Sequence, residues 1–258
     1  MEDKLSEVFI TKDLESRFIG QRIILYPKIS STMEVAKKEA QSGAIEGTVV
    51  IAEEQTAGKG RIRRAWLSPR GCIALSVILY PGIDHLHSLF MVASLAVVNT
   101  IKAITGLRPL IKWPNDILIN DKKVCGILIE SGMWDRSISY AVVGIGINVN
   151  LKTADYTNIS LLATSLSDEM GRNVSRLEIV RRLLVEVERL YLSVQRGELI
   201  YKEWRDSLVT LGKRVRASSG NKLYEGIAES VDKDGSLMLR CSDSSLIKLT
   251  AGDVTLHA

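Results

Sequence analysis

The chain has 258 residues, more than the roughly 100–150 of a typical single domain, which favours one large domain and one small one. Its 46% hydrophobic and 25% charged residues are ordinary for a soluble globular enzyme. The net charge of +4 is small, but four of the six residues 59–64 are basic. Positive potential concentrated in this way suits a compact anionic ligand better than a long nucleic-acid track.

Cysteine usage and the first residues point to a reduced compartment. Cys72, Cys125 and Cys241 are odd in number and far apart, which argues against a disulfide framework or a zinc site. Residues 1–20 contain five acidic residues and lack an apolar run, so they resemble neither a signal peptide nor a transit peptide. The apolar stretch 89–98 is shorter than the roughly 20 residues that span a bilayer. We expect a cytoplasmic protein that does not bind membranes.

Helices and short strands alternate over the first 210 residues. A capping box, Ser31 to Glu34, predicts a helix that ends at Gly43. Later helices are predicted over 86–106, 160–170, 175–197 and 198–209 from caps and three- or four-residue apolar spacing. Runs rich in Val and Ile predict strands over 47–53, 72–80, 109–112, 117–119, 123–130 and 140–148. The Asn120-Asp121 turn makes 117–130 a β-hairpin.

After residue 211 the sequence pattern changes to short strands separated by turns. Four short strand patterns, separated by Ser-Gly-Asn, Asp-Lys-Asp-Gly and Ser-Asp-Ser-Ser turns, lie at 214–217, 223–230, 236–240 and 246–249. They suggest a small β-barrel. We therefore expect an α+β protein with a catalytic domain over residues 1–210 and a small β domain over 211–258.

A basic, glycine-rich loop runs from Gly58 to Trp66. Its glycines Gly58 and Gly60 let the backbone approach a ligand closely and adopt positive φ, and its cations can neutralise phosphates. The loop lacks the Walker A pattern and the third glycine of a dinucleotide fingerprint. Trp66 has a face suited to stacking on adenine, although a buried core tryptophan is the structural alternative.

The pentapeptide Lys112-Trp113-Pro114-Asn115-Asp116 follows a strand. Proline restricts the backbone, so Lys112, Asn115 and Asp116 project from a stiff bend. Lys112 can offset charge that builds on an α-phosphate during attack by a carboxylate. Asn115 or Asp116 can hold a phosphate-bound Mg²⁺ or its waters. The alternative is a Pro-Asn-Asp turn with an exposed lysine.

Further candidates lie around the central strands. Lys123 can meet a substrate carboxylate, or simply be an exposed hairpin lysine. Asn148 can bind a phosphate or ribose oxygen, or end a strand. Glycines inside strands often mark close approach by backbone or ligand, and here they are Gly126, Gly144 and Gly146.

Ser31 and Thr32 stand where a helix begins. One hydroxyl is expected to cap the helix, and the pair can also bind a neutral polar group of a ligand. No HExxH motif, GxSxG elbow or paired cysteine nucleophile is present in the sequence. Adenylate formation needs none of these, because the substrate carboxylate is itself the nucleophile.

Taken together, the basic loop, the pentapeptide and Gly144-Ile145-Gly146-Ile147-Asn148 resemble the active-site signature of biotin-protein ligases. The resemblance runs over about residues 28–150 and more weakly to the C-terminus. It implies a mixed, mostly antiparallel sheet backed by helices, followed by an SH3-like barrel. It also implies an ATP-dependent ligase that forms biotinyl-AMP and passes biotin to a lysine of a biotin carboxyl carrier domain.

The resemblance also assigns residues by position. Biotin contacts fall on Ser31, Thr32, Gln55, Lys59, Gly60, Arg61, Lys123 and Gly126. Nucleotide contacts fall on Gly58, Arg64, Trp66, Lys112, Asn115, Asp116 and Asn148. Lys112, Arg61 and Lys123 would be the catalytic groups, and the loop 58–66 would close over the adenylate. ATP with Mg²⁺ and biotin are implied as substrates, with no permanently bound cofactor and no assigned metal ligand.

The chain departs from the family pattern in places. Lys59 stands where arginine is usual, and an ammonium cannot make the same bidentate fork, so adenylate retention is expected to be weaker. Ile62-Arg63 replaces the Arg-Gly of some bacterial members, Ala65 replaces a frequent lysine, and Met33 replaces asparagine. Fewer than thirty residues precede the catalytic pattern, so no winged-helix domain and no DNA binding are expected. A homodimer is possible.

Two other functions compete with this interpretation. A lipoate- or octanoate-protein ligase, built on a related scaffold, would adenylate a different acid. A nonenzymatic anion- or RNA-binding protein would use the basic loop and the barrel. That last hypothesis leaves the pentapeptide without a role.

Overall fold

The computed structural model describes residues 4–134, 137–156, 161–220, 222–250 and 252–256. Six α-helices lie within these ranges. They are α1 (Glu7–Thr11), α2 (Thr32–Gln41), α3 (Leu89–Thr105), α4 (Leu166–Met170), α5 (Arg176–Gln195) and α6 (Tyr201–Asp206). None of the helices in the described part of the chain is long and apolar enough to cross a membrane.

The main sheet has seven strands in the order β1-β2-β3-β7-β6-β5-β4. Only β1 and β2 pair in parallel; each later pair is antiparallel. The strands are β1 (Ile23–Tyr26), β2 (Val49–Ala52), β3 (Ile73–Leu79), β4 (Leu110–Lys112), β5 (Asp116–Ile119), β6 (Lys122–Trp134) and β7 (Ser137–Ile147).

Both faces of this sheet are covered. Val49 and Ile51 point to the large core that includes α3 and α5, whereas Val50 points to a smaller core beneath α2. Because successive side chains of a strand alternate between faces, a strand covered on both sides must be apolar throughout. This requirement explains why β3 is buried at every position.

The second sheet is entirely antiparallel and has the strand order β11-β10-β9-β8-β12. Its strands are β8 (Arg214–Ser219), β9 (Lys222–Val231), β10 (Leu237–Cys241), β11 (Leu246–Leu249) and β12 (Asp253–Leu256). We call this sheet the C-terminal barrel. Its buried side chains belong to the same hydrophobic cluster as α3 and α5.

The C-terminal barrel is fastened to the main sheet at the pentapeptide. The Trp113 amide donates to Thr210 Oγ1 at 2.9 Å, and the Trp113 indole Nε1 donates to the carbonyl of Gly235 at 2.9 Å. Trp113 is almost completely buried. The residue that follows the β4 lysine is therefore fixed by groups more than ninety positions later in the chain.

The expected α+β class, with a mostly antiparallel sheet backed by helices and a small C-terminal β structure, is confirmed. The hairpin turn at Asn120-Asp121 is also present, with φ of 49° and 61°. The helix expected over 160–170 begins only at Leu166, and residue 160 lies outside the described residues. Three elements were not predicted, α1, β1 and β12.

A buried ion pair holds the start of α5 against the end of β2. Arg176 Nη1 lies 2.7 Å from Glu53 Oε2, and the two side chains are 5% and 13% exposed. The other carboxylate oxygen of Glu53 accepts from the Leu5 amide at 3.2 Å. Because Glu53 lies two residues before Gln55, this pair fixes the chain as it enters the loop 58–66.

Replacing Arg176 with methionine should lower the free energy of unfolding by about 3 kcal/mol, because Glu53 would remain buried and charged without its guanidinium. Denaturant titration of the purified protein measures this change. Arg196→Met is the matched control, because the Arg196–Glu198 pair is exposed at the other end of α5 and its loss should change the free energy of unfolding far less. Equal losses for the two variants would contradict the structural role of the buried pair.

Candidate active site

The loop 58–66 is a narrow ribbon with a helical tip. The Trp66 amide donates to the Gly58 carbonyl at 2.8 Å, and the Gly60 amide donates to the Arg64 carbonyl at 2.7 Å. A 3₁₀ turn over Arg61–Arg63 forms the tip. The ribbon brings Arg61 to Asn115 of the pentapeptide.

The expectation that glycines supply positive φ in this loop is wrong. The positive φ falls on Ile62, at 52°, whereas Gly60 has a φ of −107°. Gly58 is required for space instead, because a Cβ there would lie 2.4 Å from the Trp66 carbonyl oxygen.

Trp66 lies on a part of the sheet that has no side chains. Gly126 and Gly146 are direct partners across β6 and β7, and a Cβ on Gly146 would lie 2.4 Å from the Trp66 indole nitrogen. A Cβ on Gly126 would lie 3.0 Å from the same ring. The indole Nε1 is buried and has no hydrogen-bond partner. The group that closely approaches Gly126 and Gly146 is thus a side chain of the protein itself, that of Trp66.

A first cavity lies between α2, the loop and the sheet. Its walls include Met33, Trp66, Ile127 and Leu128, so much of its surface is apolar. All eight residues predicted to contact biotin line this cavity, namely Ser31, Thr32, Gln55, Lys59, Gly60, Arg61, Lys123 and Gly126. The structure therefore brings together residues separated by up to 95 positions in the chain.

One wall of this cavity is polar and uncharged. Thr32 Oγ1 and the Thr32 amide both contact Gln55 Oε1, at 3.1 and 2.8 Å. Ser76 Oγ donates to Thr32 Oγ1 at 2.8 Å. Ser31 is 1% exposed and its hydroxyl has no hydrogen-bond partner. A buried hydroxyl costs free energy unless it is paired, which marks Ser31 Oγ as a contact for a polar ligand group.

The capping box predicted at Ser31 to Glu34 is wrong. Ser31 occupies the N-cap position, but its hydroxyl makes no bond to the helix backbone. The Glu34 carboxylate instead contacts Lys37 at 2.9 Å and the Lys59 ammonium. Hydrogen bonds from Lys37 and then Lys59 lower the pKa of Glu34 to about 2. Lys59 thus lines the cavity while its ammonium is paired with the Glu34 carboxylate of α2.

The pentapeptide contributes Asn115 to the lining of the first cavity, with Asp116 beside it. Asn115 is buried, donates to the Ile127 carbonyl at 2.8 Å and accepts from Arg61 Nη1 at 3.0 Å. Asp116 Oδ1 lies 2.6 Å from the Lys123 ammonium. The Trp113–Pro114 peptide bond is cis. Asn115 therefore orients Arg61, and Asp116 orients Lys123.

Burial changes the acid strength of Lys112. Removal from water lowers the pKa of its amine below the usual 10.5, and Lys123 and Arg64 lower it further, while Asp116 and Asp253 oppose the shift. Burial likewise lowers the pKa of Arg61, again opposed by Asp253 and Asp116. Both cations are held where water is scarce, so their interaction with an anion is stronger than at the surface.

A second cavity of about 660 Å³ adjoins the first, and Trp66 lines both. Among the predicted nucleotide contacts, Gly58, Trp66 and Asn148 line this second cavity, and Asn115 lines the first. Asn148 is buried and donates from its side chain to the Thr164 carbonyl at 3.0 Å, so it also has a structural role. Arg64, Lys112 and Asp116 form a charged group beside the cavities rather than lining them.

Sequence reasoning missed three residues of this site. Ser76 supports Thr32, and Met33 forms a wall of the first cavity. Asp253, at the start of β12, lies 2.6 Å from Arg64 Nη2 and 3.8 Å from Arg61 Nη1. A lone aspartate in an unpredicted strand carries no local signal, so only the tertiary structure reveals it.

Comparison with known proteins gives consistent results along the chain. Residues 25–148 match the biotin/lipoate A/B protein ligase family, and residues 210–256 match the biotin protein ligase C-terminal domain. The bifunctional ligase/repressor BirA of Bacillus spizizenii is 36% identical over 259 residues, covering 98% of this chain and 79% of that protein. The biotin–[acetyl-CoA-carboxylase] ligase of Mycobacterium tuberculosis is 31% identical, covering 98% and 97%.

A solved structure has the same architecture. The biotin protein ligase from Aquifex aeolicus in complex with biotin and ATP superimposes with a TM-score of 0.79 at 26% identity, covering 92% of this chain and 99% of that one. With relatives above 30% identity over nearly its whole length, this chain belongs to the biotin–protein ligase family of ATP-dependent ligases.

Proposed function

We propose that this protein joins biotin to ATP, forming biotinyl-5′-AMP and pyrophosphate, and then transfers biotin to a lysine of a biotin carboxyl carrier domain. The observation that carries the proposal is the first cavity. It offers the unpaired Ser31 hydroxyl and the Thr32–Gln55 pair on one wall, apolar walls, and Arg61 with Lys123 elsewhere in its lining. Biotin has the matching parts, a polar ureido ring, an apolar body and a carboxylate.

In the first step, a biotin carboxylate oxygen attacks the α-phosphorus of ATP. A new P–O bond forms while the bond to the leaving pyrophosphate breaks. Negative charge grows on the α-phosphate oxygens, so Lys112 and Arg61 act by offsetting it, and Lys123 orients the carboxylate. Burial of Lys112 and Arg61 supports this role, because a desolvated cation needs no solvent reorganisation when charge develops.

Mg²⁺ would enter with ATP as part of the substrate complex. Within the described ranges, no group of three or more His, Cys, Asp or Glu side chains is arranged to hold a metal ion. Asp116 and Asn115 are the oxygen-bearing groups beside Lys112, and Mg²⁺ commonly keeps several waters when it binds nucleotide phosphates. We assign these two residues to contacts with the metal or its waters.

In the second step, the lysine amine of the carrier domain attacks the carbonyl carbon of biotinyl-AMP. An amide bond forms, AMP leaves and the amine loses a proton. Water would destroy the same anhydride, so the ribbon 58–66 serves to cover it until the carrier binds. The predicted weakness of adenylate retention at Lys59 is consistent with its ammonium being shared with Glu34.

The remaining parts of the proposal come from the sequence patterns and, for the dimer, from the resemblance. We propose a division near residue 210 between the catalytic domain and the C-terminal barrel, a cytoplasmic location and a homodimer as the assembly. The sheet order supports the division, because the strands of the main sheet all precede residue 148 and those of the barrel all follow residue 213.

Measuring pyrophosphate release with ATP and Mg²⁺ tests the function directly. Biotin should stimulate release, and lipoate or octanoate should not, because neither acid has a ureido group to pair with Ser31 Oγ. Mass spectrometry should identify the adenylate, and a biotin carboxyl carrier domain should then gain one biotin. Release that depends on lipoate instead would overturn the choice of substrate.

Replacing Lys112 with alanine should slow adenylation by roughly a hundredfold, because the cation acts mainly on the transition state. In the unaltered protein, kcat/KM for ATP should fall with rising pH at a value below 10.5, since the pKa of Lys112 in the free enzyme is lowered. Stopped-flow measurement of pyrophosphate formation gives both results.

The variant Lys112→Arg tests whether the fall in kcat/KM at high pH comes from loss of the proton of Lys112. Arginine stays protonated throughout this range, so the alkaline fall should disappear while part of the rate is kept. Lys122→Ala is the control, since it removes an exposed hairpin lysine of β6. If kcat/KM for ATP still falls at high pH in Lys112→Arg, the group that titrates is not Lys112.

Replacing Gly146 with alanine should displace Trp66, because the new Cβ would lie 2.4 Å from the indole nitrogen. We expect at least a tenfold loss of biotin affinity, measured by isothermal titration calorimetry, since the ring lines both cavities. Gly82→Ala is the control, because its Cβ would meet only His85, at 3.8 Å. Unchanged affinity in Gly146→Ala would remove Trp66 from the site.

A further inference from the structure

Asp253 is the one residue of β12 whose side chain contacts the loop 58–66 in an ion pair that the structure describes. Its carboxylate lies 2.6 Å from Arg64 Nη2 through one oxygen and 3.8 Å from Arg61 Nη1 through the other. The Asp253 side chain is 18% exposed, whereas that of Arg64 is 70% exposed. The fixed partner of this pair is therefore the barrel residue, and the loop arginine is held by it.

The backbone around Asp253 is constrained. Gly252, immediately before it, has a φ of 155°, and a Cβ there would lie 2.2 Å from the Ser218 carbonyl oxygen. Asp253 itself pairs with Ser218 across β8 and β12. The carboxylate is thus presented from a strand whose position is set by close packing, rather than from a free chain end.

The contacts leave donors available on both arginines. A guanidinium has five N–H groups in a planar fork. Arg61 Nη1 donates to Asn115 Oδ1, whereas Asp253 contacts Arg61 Nη1 and Arg64 Nη2 as ion pairs, and its buried Oδ2 accepts no hydrogen bond from the described residues. The remaining edge of each fork can bind a phosphate while the carboxylate keeps its contact. Asp253 and a bound phosphate are therefore compatible partners of the same two cations.

We propose that Asp253 is a positioning residue of the C-terminal barrel, which orients Arg61 and Arg64 toward the phosphates of ATP and of the adenylate. The inference rests on the proposed function and deepens it, because it gives the barrel a task in the first chemical step. Asp253 touches neither substrate nor reacting atoms and acts through the two arginines. The benefit is preorganisation, since an exposed loop arginine would otherwise lose side-chain freedom only when ATP binds.

Simple electrostatics predicts the opposite effect, and this makes the proposal easy to test. Asp253 is a negative charge beside a site for a highly charged anion, so its removal should tighten ATP binding if repulsion were its main effect. If Asp253 orients the two arginines, its removal should weaken ATP binding. The sign of the change in ATP affinity distinguishes the two.

The experiment is biotin-dependent exchange of labelled pyrophosphate into ATP, using the full-length protein. Asp253→Asn should raise KM for ATP by about tenfold, with little change in KM for biotin. Asp253→Glu, which keeps the charge on a longer side chain, should recover part of the loss. A lower or unchanged KM for ATP in Asp253→Asn would overturn the proposal.

Two further variants separate positioning from stability. Glu229→Gln removes an exposed barrel ion pair with Arg240 and should leave both KM values unchanged. In an Arg64→Gln background, Asp253→Asn should have a smaller effect, because one of the two arginines through which it acts is already lost. Equal effects in both backgrounds would contradict the proposal.

Failure of this proposal can be distinguished from failure of the proposed function. Absence of exchange in the unaltered protein with biotin would refute the ligase activity itself. Normal exchange there, with KM for ATP unaffected by Asp253→Asn, would refute only the role of Asp253. Thermal unfolding of each variant shows whether any loss of exchange comes from loss of the fold.

Discussion

The contact of the Trp66 indole with the bare backbone of Gly126 and Gly146 sets the geometry of the site. Two facing glycines in adjacent strands leave a shallow space on a sheet that is otherwise covered by side chains. The indole fills this space and thereby fixes the end of the loop 58–66. From there the ribbon carries Arg61 to Asn115. Had either glycine a side chain, the indole would be lifted from the sheet and the two cavities that it lines would change together.

The C-terminal barrel is part of the same arrangement. The Gly235 carbonyl of the barrel accepts a hydrogen bond from the Trp113 indole, and Thr210, which precedes the barrel, accepts one from the Trp113 amide. The barrel also contacts the loop through Asp253. Lys112 and Arg61, which come from separate parts of the catalytic pattern, are therefore placed relative to each other through a third part of the chain. This gives a physical reason for the barrel to accompany the catalytic pattern.

Much of the fold was predictable because it depends on local patterns. The apolar stripe of α5, the turn at Asn120-Asp121 and the Val- and Ile-rich strands each carry their own signal. The edge strand β1 was missed, although it is no shorter than β4 and β5, which were predicted. The capping box at Ser31 failed because of tertiary contacts. Glu34 has stronger partners in Lys37 and Lys59, which are brought to it by the helix surface and by a distant loop.

The sequence could predict eight of the residues that line the first cavity, but not how they contact one another. Ser31, Gln55 and Lys123 could be assigned by their positions relative to the motifs that carry the resemblance. Their mutual contacts depend on tertiary structure. Whether the Ser31 hydroxyl caps a helix or faces a cavity is decided by the geometry of one helical turn, and no feature of the four-residue motif records it.

Three cations of the site are paired with carboxylates of other structural elements. Lys59 is paired with Glu34 of α2, Lys123 with Asp116 of β5, and Arg64 with Asp253 of β12. Each of these three cations thus has a carboxylate from a different element, and Arg61 shares Asp253 with Arg64. Pairing keeps the cations oriented and limits their mutual repulsion. The binding of a nucleotide then depends less on the number of positive charges than on which donors of each cation remain directed at the cavity.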